Sequence, residues 1–421
     1  MQIPDIILKE FDDIEFLSGD VSAPKGFRAV GVCAGIKQSG QPDMVLIYSE
    51  KDAVTVGVFT QSKVKAAPVL LCTENILNVS PGRAVIINSG NANACTGERG
   101  MNDARQMAEL TAKLLNVDVS SVFVASTGRI GEFMPMDIIK SGIAQAVEAL
   151  KTNRGGKDVA TSIMTTDTRP KKVSVSFTLD GKKITIGAVA KGAGMIDPKM
   201  STPVPHATML SFITTDADIS HDALNSALSY CACESFNKIT VDGDMSTNDT
   251  VLLMANGAAG NSTVEIDTHE FKIFRKYLLA VMKKLAADIV LDAEGATKFV
   301  TVKVKNAASA SDAEKVAEAI ANSLLCKTAW FGCDPNWGRV IAAAGYSGAD
   351  FDPEKLSLFY EDKPVVEKGR DAGTPEKELS DLMSKGDFSV ILDLNAGSSD
   401  YEIWTCDISY EYVKINADYH T

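Results

Sequence analysis

The chain has 421 residues, of which 45% are hydrophobic and 23% are charged, and its net charge at pH 7 is −13. It is long enough for two or three domains, or for two closely packed halves. The acidic balance argues against nucleic acid and anionic membranes as partners, because both need a concentrated basic face. No apolar run approaches the ~20 residues of a membrane helix, and the N-terminal segment lacks the apolar core of a signal peptide, so we expect a cytoplasmic protein.

The scarcity of histidine limits the chemistry that the chain can support. The chain has four scattered histidines. So few histidines argue against a zinc site and also against a Ser-His-Asp catalytic triad. The eight cysteines are predicted to be reduced and mostly buried, as is usual in a cytosolic protein. Hydrolase or transferase chemistry would therefore need a base other than histidine, and an N-terminal amine meets that need.

Apolar runs and turn signals alternate along the chain and predict an α/β protein. Asp180-Gly181, between two apolar runs, is a strong hairpin signal, and apolar residues at helical spacing mark the helices. The predicted strands are 44–49, 54–60, 84–88, 122–125, 163–168, 173–178, 182–190, 209–214, 250–255, 300–304, 388–394 and 402–408, and the predicted helices are 102–116, 135–151, 220–236, 271–289, 313–325 and one that starts at 334–336.

Several candidate functional residues stand where predicted elements end. Thr127 and Gly128 follow a strand, and a hydroxyl next to a glycine N–H is suited there to stabilising an oxyanion. The alternative is a threonine that caps a strand-to-turn junction. Lys191 follows another strand, where a lysine is most often a solvated surface charge. Glu294 follows a long helix in a glycine-containing loop, where a lone glutamate is normally solvated.

Asp242-Gly243-Asp244 and Asn248-Asp249 together resemble a calcium-binding loop at first sight. They lack the 12-residue spacing of such a loop and its closing glutamate. The sequence therefore argues against a calcium site here.

The segment 191–217, KGAGMIDPKMSTPVPHATMLSFITTDA, lies near the middle of the chain, and its loop enters a predicted strand at Thr208. A chain cut between Ala207 and Thr208 would free a threonine that carries both a hydroxyl nucleophile and an α-amine. An α-amine has a pKa of about 8, which suits a general base. The alternative is that Thr208 is simply the first residue of a core strand.

Further motifs accompany this segment. They are AAPV (66–69), NSGNANACTG (88–97), STG (126–128), IMTTDT (163–168), SFNKITVDGDMSTNDT (235–250), EGATK (294–298), KTAWFGCDPNWGR (327–339) and YVKINADYHT (412–421). Together with segment 191–217 they resemble the ornithine acetyltransferase family, also called the bifunctional glutamate N-acetyltransferases of arginine biosynthesis. The motifs stand in family order from residue 21 to the last residue, and several are too long to arise by chance.

The resemblance implies an α/β fold of layered sheets and helices, of the type shared with the DmpA aminopeptidases. It also implies self-cleavage at Ala207-Thr208 into an N-terminal fragment, 1–207, and a C-terminal fragment, 208–421, with two such pairs forming a heterotetramer. The implied reaction moves the acetyl group of N2-acetyl-L-ornithine to L-glutamate by way of acetyl-Thr208. It needs no metal or organic cofactor, and the use of acetyl-CoA as a second donor is left open.

The resemblance also assigns roles to single residues. Thr208 is the nucleophile, and Thr127 and Gly128 hold the oxyanion. The implied substrate contacts are Thr166 (with Thr165 as the alternative), Lys191, Thr208, Glu294, Asn416 and Thr421.

Residues 201–206 (STPVPH) depart from the family pattern, in which a Pro-x-Met sequence passes directly into Ala-Thr. The insertion would either lengthen a surface loop at little cost or misplace the scissile carbonyl and slow self-cleavage, and His206 is a candidate base for that cleavage. Two other functions stay open. One is an N-terminal-nucleophile hydrolase or aminopeptidase of the same fold, in which water captures the acyl group, and the other is an uncleaved, inactive scaffold.

Overall fold

The computed structural model describes residues 10–152, 156–198 and 209–418, which form fourteen strands and eleven α-helices. The described residues divide into two compact units. The larger unit comprises those between 10 and 237 together with 244–289, and the smaller unit comprises 238–243 and 290–418.

The first eight strands belong to the larger unit. They are β1 (Phe27–Val32), β2 (Met44–Phe59), β3 (Gly82–Asn91), β4 (Val122–Arg129), β5 (Lys171–Leu179), β6 (Lys182–Lys191), β7 (Leu210–Thr215) and β8 (Thr250–Ala255). The helices of this part of the chain are α1 (Ala67–Leu77), α2 (Gly97–Leu115), α3 (Met136–Thr152), α4 (Val159–Ile163), α5 (His221–Cys233) and α6 (His269–Leu291).

These strands form one sheet in the order β4-β3-β2-β8-β7-β6-β5, with β1 paired to β2. Alternate residues of β2 belong to two separate apolar clusters, as expected when successive side chains of a strand point to opposite faces. Met44 and Leu46 pack with residues of α2 and α3, whereas Val45 and Ile47 pack with residues of α4. The sheet is therefore a central layer that is covered by helices on both faces.

Strand β7 lies inside this sheet. It pairs antiparallel with β6, where Lys191 faces Leu210, and parallel with β8, where Leu210 faces Thr250. All six of its residues are buried, which is typical of a strand covered on both faces. A cut before Thr208 would leave β7 bonded to β6 of the other fragment. The fragments 1–207 and 208–421 would therefore share one sheet, and the cleavage itself stays a prediction.

The smaller unit contains a six-stranded sheet in the order β12-β11-β10-β13-β9-β14. Its core includes Trp330, whose ring packs edge-on against that of Phe388 with the two ring centroids 6.4 Å apart. The strands are β9 (Phe299–Ala307), β10 (Ser357–Tyr360), β11 (Lys363–Glu367), β12 (Arg370–Asp371), β13 (Asp387–Asp393) and β14 (Ser399–Cys406). The helices are α7 (Ala310–Ala321), α8 (Leu324–Phe331), α9 (Trp337–Gly345), α10 (Glu376–Met383) and α11 (Tyr410–Asp418).

The predicted α/β class is confirmed, and most predicted elements are present within a few residues of their expected bounds. The hairpin signal is also confirmed, since Asp180 and Gly181 join β5 to β6 with φ of 49° and 70°. Both values fit the left-handed backbone of a tight hairpin turn. No helix of the described ranges is both long and apolar enough to cross a membrane.

The prediction of a strand at 163–168 is wrong. Helix α4 ends at Ile163, and the Asp158 side chain caps it by accepting the Thr161 N–H at 3.0 Å. The chain then bends around Asp167, whose Oδ2 accepts the Thr165 N–H at 3.0 Å. Threonine-rich runs favour strands, but hydrogen bonds from aspartate side chains to the local backbone override that preference here.

Two further departures have local causes. The predicted helix 313–325 is two helices, because Ser323 interrupts it and caps α8 by accepting the Cys326 N–H at 3.3 Å. The predicted strands 44–49 and 54–60 are one long strand, β2, which pairs with β3 along its first part and with β8 along its second. Sequence patterns did not predict β10, β11, β12 or the helices α1, α4, α10 and α11.

Candidate active site

The end of β4 carries Thr127 and Gly128. Strand β4 runs parallel to β3, and the pairing becomes irregular where Gly90 and Asn91 face these two residues. Gly128 has φ of 132°, and a Cβ on it would lie 2.3 Å from the carbonyl carbon of Gly90. Only glycine fits this close approach of two backbones. The structure thus sets Thr127 and Gly128 in a tightly fixed strand end, as an oxyanion-binding pair requires.

Lys191 is brought to Thr127 by the sheet. It is the last residue of β6 and is only 8% exposed, and its Nζ donates to Oγ1 of the buried Thr127 at 3.4 Å. The expectation of a solvated surface lysine therefore does not hold. Two of the predicted site residues, separated by 64 positions in sequence, meet in one place.

Asp167 fixes the backbone beside Lys191, and sequence patterns gave it no role. Its Oδ1 lies 2.7 Å from Lys171 Nζ and accepts the Gly192 N–H at 2.7 Å. Burial by itself would raise the pKa of Asp167, but Lys171, Lys191 and the Gly192 N–H together hold that pKa below its ordinary value. The Asp167 carboxylate thus stays ionised and fixes the backbone directly after Lys191.

The threonines of the IMTTDT motif adjoin this carboxylate. Thr165 and Thr166 are both half-buried, and the Thr165 N–H is bonded to Asp167. The preference for Thr166 over Thr165 as a substrate contact stays a prediction.

We expect Asp167→Asn to lower the free energy of unfolding at pH 7 by about 3 kcal/mol or more, because it removes the charge beside the buried Lys171. A matched control is Asp52→Asn, since Asp52 is 70% exposed in its ion pair with Arg83 and should contribute less than about 1 kcal/mol. Urea denaturation of both variants measures the difference. Equal stabilities of the two variants would contradict the anchoring role of Asp167.

Comparing wild type with Asp167→Asn also tests how stability depends on pH. The folded-state pKa of Asp167 is depressed, so its ionised form contributes stability that is complete above its unfolded pKa of about 3.9. That stability is lost as the pH falls toward the lower, folded pKa. Wild type should therefore lose stability more steeply than Asp167→Asn between about pH 5 and pH 3. Parallel curves would show that Asp167 does not carry this acid sensitivity.

In the smaller unit, Glu294 and Asn416 form a second pair of predicted site residues. Asn416 lies on α11, and its Nδ2 donates to Glu294 Oε2 at 2.8 Å. Glu294 is only 8% exposed. Its loop is fixed by Asp407, which accepts the Thr297 N–H at 2.7 Å. The structure therefore unites these two residues, which are 122 positions apart.

The remaining predicted residues, Ala207, Thr208 and Thr421, lie outside the described residues. The described ones provide three chemical features. They are a hydroxyl beside a glycine N–H, a cation at that hydroxyl, and a carboxylate held by an amide. Such groups suit an oxyanion, a substrate carboxylate and a substrate amine, respectively. No group of three or more potential metal ligands occurs in the described part of the chain.

Comparisons with known proteins agree with this picture. The ArgJ family model matches residues 28–421. The chain is 46% identical over 410 residues to the arginine biosynthesis bifunctional protein ArgJ of Symbiobacterium thermophilum, covering 97% of this chain and 100% of that protein. It is also 46% identical over 413 residues to the glutamate N-acetyltransferase of Methanocaldococcus jannaschii, covering 96% and 99%.

A crystal structure of the arginine biosynthesis bifunctional protein argJ from Bacillus halodurans is similar as well. It is 42% identical and covers 50% of this chain and 100% of the solved chain, with a TM-score of 0.49. The family resemblance that the motifs indicated is confirmed by the family model and by the two full-length relatives. The chain belongs to the ArgJ family.

Proposed function

We propose that this chain is a glutamate N-acetyltransferase that moves the acetyl group from N2-acetyl-L-ornithine to L-glutamate, as a step of arginine biosynthesis. Its membership of the ArgJ family over nearly its whole length supports the reaction class. The observation that carries the proposal is the contact between Lys191 and Thr127 at the end of β4, because it unites an oxyanion donor with a cation for a substrate carboxylate.

The active form arises by self-cleavage between Ala207 and Thr208. The Thr208 hydroxyl then attacks the acetyl carbon of N-acetylornithine, and the α-amine of the same residue takes the hydroxyl proton. Thr127 and Gly128 stabilise the oxyanion of the tetrahedral intermediate. The carbon–nitrogen bond breaks, the α-amine returns the proton to the departing ornithine amine, and acetyl-Thr208 remains.

Glutamate completes the cycle. Its neutral amine attacks the carbonyl carbon of acetyl-Thr208 and gives one proton to the Thr208 α-amine. The ester bond then breaks, the α-amine passes that proton to the Thr208 oxygen, and N-acetylglutamate leaves. Lys191 pairs with the α-carboxylate of the substrate, and Glu294, with Asn416, pairs with the ornithine side-chain amine. Thr166 and Thr421 complete the substrate contacts. The reaction needs no metal or organic cofactor, and acetyl-CoA is a possible second acetyl donor.

Cleavage would give two fragments that stay together, since β6 and β7 are hydrogen-bonded neighbours. We propose that two such pairs form a heterotetramer in the cytoplasm. Gel filtration coupled to light scattering would give about 90 kDa for that assembly, twice the 44.9 kDa of one chain. A mass of one chain would contradict it.

The test of the reaction is an assay with acetyl-labelled N-acetylornithine in the presence and absence of glutamate. Label should appear in N-acetylglutamate, and ornithine release should show ping-pong dependence on the two substrates. Release of free acetate at the same rate without glutamate would instead identify a hydrolase of the same fold. Replacing N-acetylornithine by acetyl-CoA in the same assay decides whether the enzyme uses a second donor.

A further inference from the structure

Asp249 is a buried carboxyl group that the proposed mechanism does not use. It directly precedes β8 and is only 2% exposed, and its Oδ2 has no hydrogen-bond partner among the described residues. Burial raises the pKa of Asp249 well above its ordinary value, although Lys191 and backbone hydrogen bonds from Ser246 and Met209 lower it. A carboxyl group that stays neutral can both accept and donate a hydrogen bond. A buried polar atom without a hydrogen-bond partner lowers the stability of the folded state, so its presence needs an explanation.

The position of Asp249 in the fold explains why a buried carboxyl group is present here. Its neighbour Asn248 is buried, and the Asn248 Nδ2 donates to Ser126 O at 2.8 Å and to Ala92 O at 2.6 Å. Ser126 directly precedes Thr127. The segment that carries Asp249 is therefore tied to the strand end that presents the proposed oxyanion donors.

The same segment is tied to the start of β7. The Thr250 N–H donates to Met209 O at 2.9 Å, and the Met209 backbone is also a hydrogen-bond donor to the Asp249 carboxyl group. Lys191, which faces Leu210 across the β6–β7 pair, acts on that carboxyl group by its charge. Asp249 thus lies where β4, β6 and β7 converge.

We infer that Asp249 is a positioning residue for the acetyl transfer, whose carboxyl group fixes Met209 relative to Thr127 and Lys191. This inference rests on the proposed function. Met209 is covalently bonded to Thr208, so a displacement of Met209 is passed directly to the nucleophile. Misplacing a reacting group by about 1 Å costs on the order of 100-fold in rate. Substrate binding, which uses other side chains, should change little.

The experiment compares Asp249→Ala and Asp249→Asn with Asp103→Ala and Asp103→Asn, in the full chain. Asp103 is a matched control, because it is also buried, has an Oδ2 without a partner among the described residues, and has a pKa raised by burial. It lies on α2, outside the proposed site. The readouts are kcat and KM for N-acetylornithine and glutamate, with circular dichroism to verify folding.

We expect Asp249→Ala to lower kcat about 100-fold and to leave both KM values within about twofold. Asparagine keeps one acceptor and one donor, so Asp249→Asn should recover at least about fivefold of that loss. The inference is overturned if Asp249→Ala loses no more kcat than Asp103→Ala, if its loss lies in KM, or if asparagine recovers nothing. If Asp249→Ala does not fold, Asp249→Asn is compared with Asp103→Asn. A lower kcat at equal KM then supports the inference, and an equal kcat overturns it.

Wild type in the same assay separates the two hypotheses. Acetyl transfer by wild type together with an unaffected Asp249→Ala overturns the positioning role alone. Absence of glutamate-dependent transfer by wild type overturns the proposed function, and the positioning role with it.

Discussion

Replacing Thr208 by alanine is expected to abolish both self-cleavage and acetyl transfer. Alanine has no hydroxyl, so it can neither attack the preceding carbonyl nor form the acetyl-enzyme. Removing a catalytic nucleophile typically costs on the order of 10⁶-fold in kcat, and a loss of at least about 10⁴-fold is expected here. The purified variant should run as one band of 44.9 kDa on a denaturing gel.

Two controls sharpen this result. Thr208→Ser keeps a hydroxyl and, after cleavage, an α-amine on the same residue, so it should retain part of both reactions. Thr202→Ala removes a threonine hydroxyl six positions upstream, within the STPVPH insertion, and should cleave as wild type does. An uncleaved Thr208→Ala chain that still formed N-acetylglutamate at an appreciable rate would show that Thr208 is not the nucleophile.

The second large effect is expected at Gly128. An alanine Cβ there would lie 2.3 Å from the carbonyl carbon of Gly90 and 2.5 Å from the nitrogen of Asn91. Both are backbone atoms and cannot swing away as the end of a side chain can. Added to the strain of φ at 132°, this overlap should lower the free energy of unfolding by about 3 kcal/mol or more. Urea denaturation would measure the loss.

Gly131→Ala is the matched control for Gly128→Ala. Gly131 also has positive φ, at 84°, but a Cβ there would meet nothing within 4 Å. Its substitution should cost only the backbone strain, about 1–2 kcal/mol. Any folded Gly128→Ala protein should also lose acetyl transfer, because the β3–β4 contact that fixes Thr127 has moved apart. Equal stability and kcat for the two variants would contradict this account of the strand end.

The sequence was sufficient for those parts of the fold that depend on local pattern. Strand β8 was predicted at its observed bounds, because a short apolar run between polar loops is typical of a fully buried strand. The β5–β6 hairpin was predicted because Asp180-Gly181 suits left-handed backbone. By contrast, the strand expected at 163–168 failed, since hydrogen bonds to Asp158 and Asp167 decided the backbone there.

In the candidate site, too, some residues could be predicted from the sequence and others could not. Thr127, Lys191, Glu294 and Asn416 were predicted through motifs, and the structure brings them together as two pairs. The role of Asp167 was missed, because a carboxylate within a polar run looks the same in sequence whether it is solvated or buried. Its importance depends on Lys171 and Gly192, which come from two different strands or their ends. Only the register of β5 and β6 brings them to one carboxylate.

Thr208 should become a free N-terminal nucleophile, and the intact mass of the purified wild-type protein, together with N-terminal sequencing, would show whether it does. We expect two fragments, one of which begins with Thr-Met-Leu-Ser. A single unbroken chain that nevertheless transfers acetyl groups from N-acetylornithine to glutamate would contradict it.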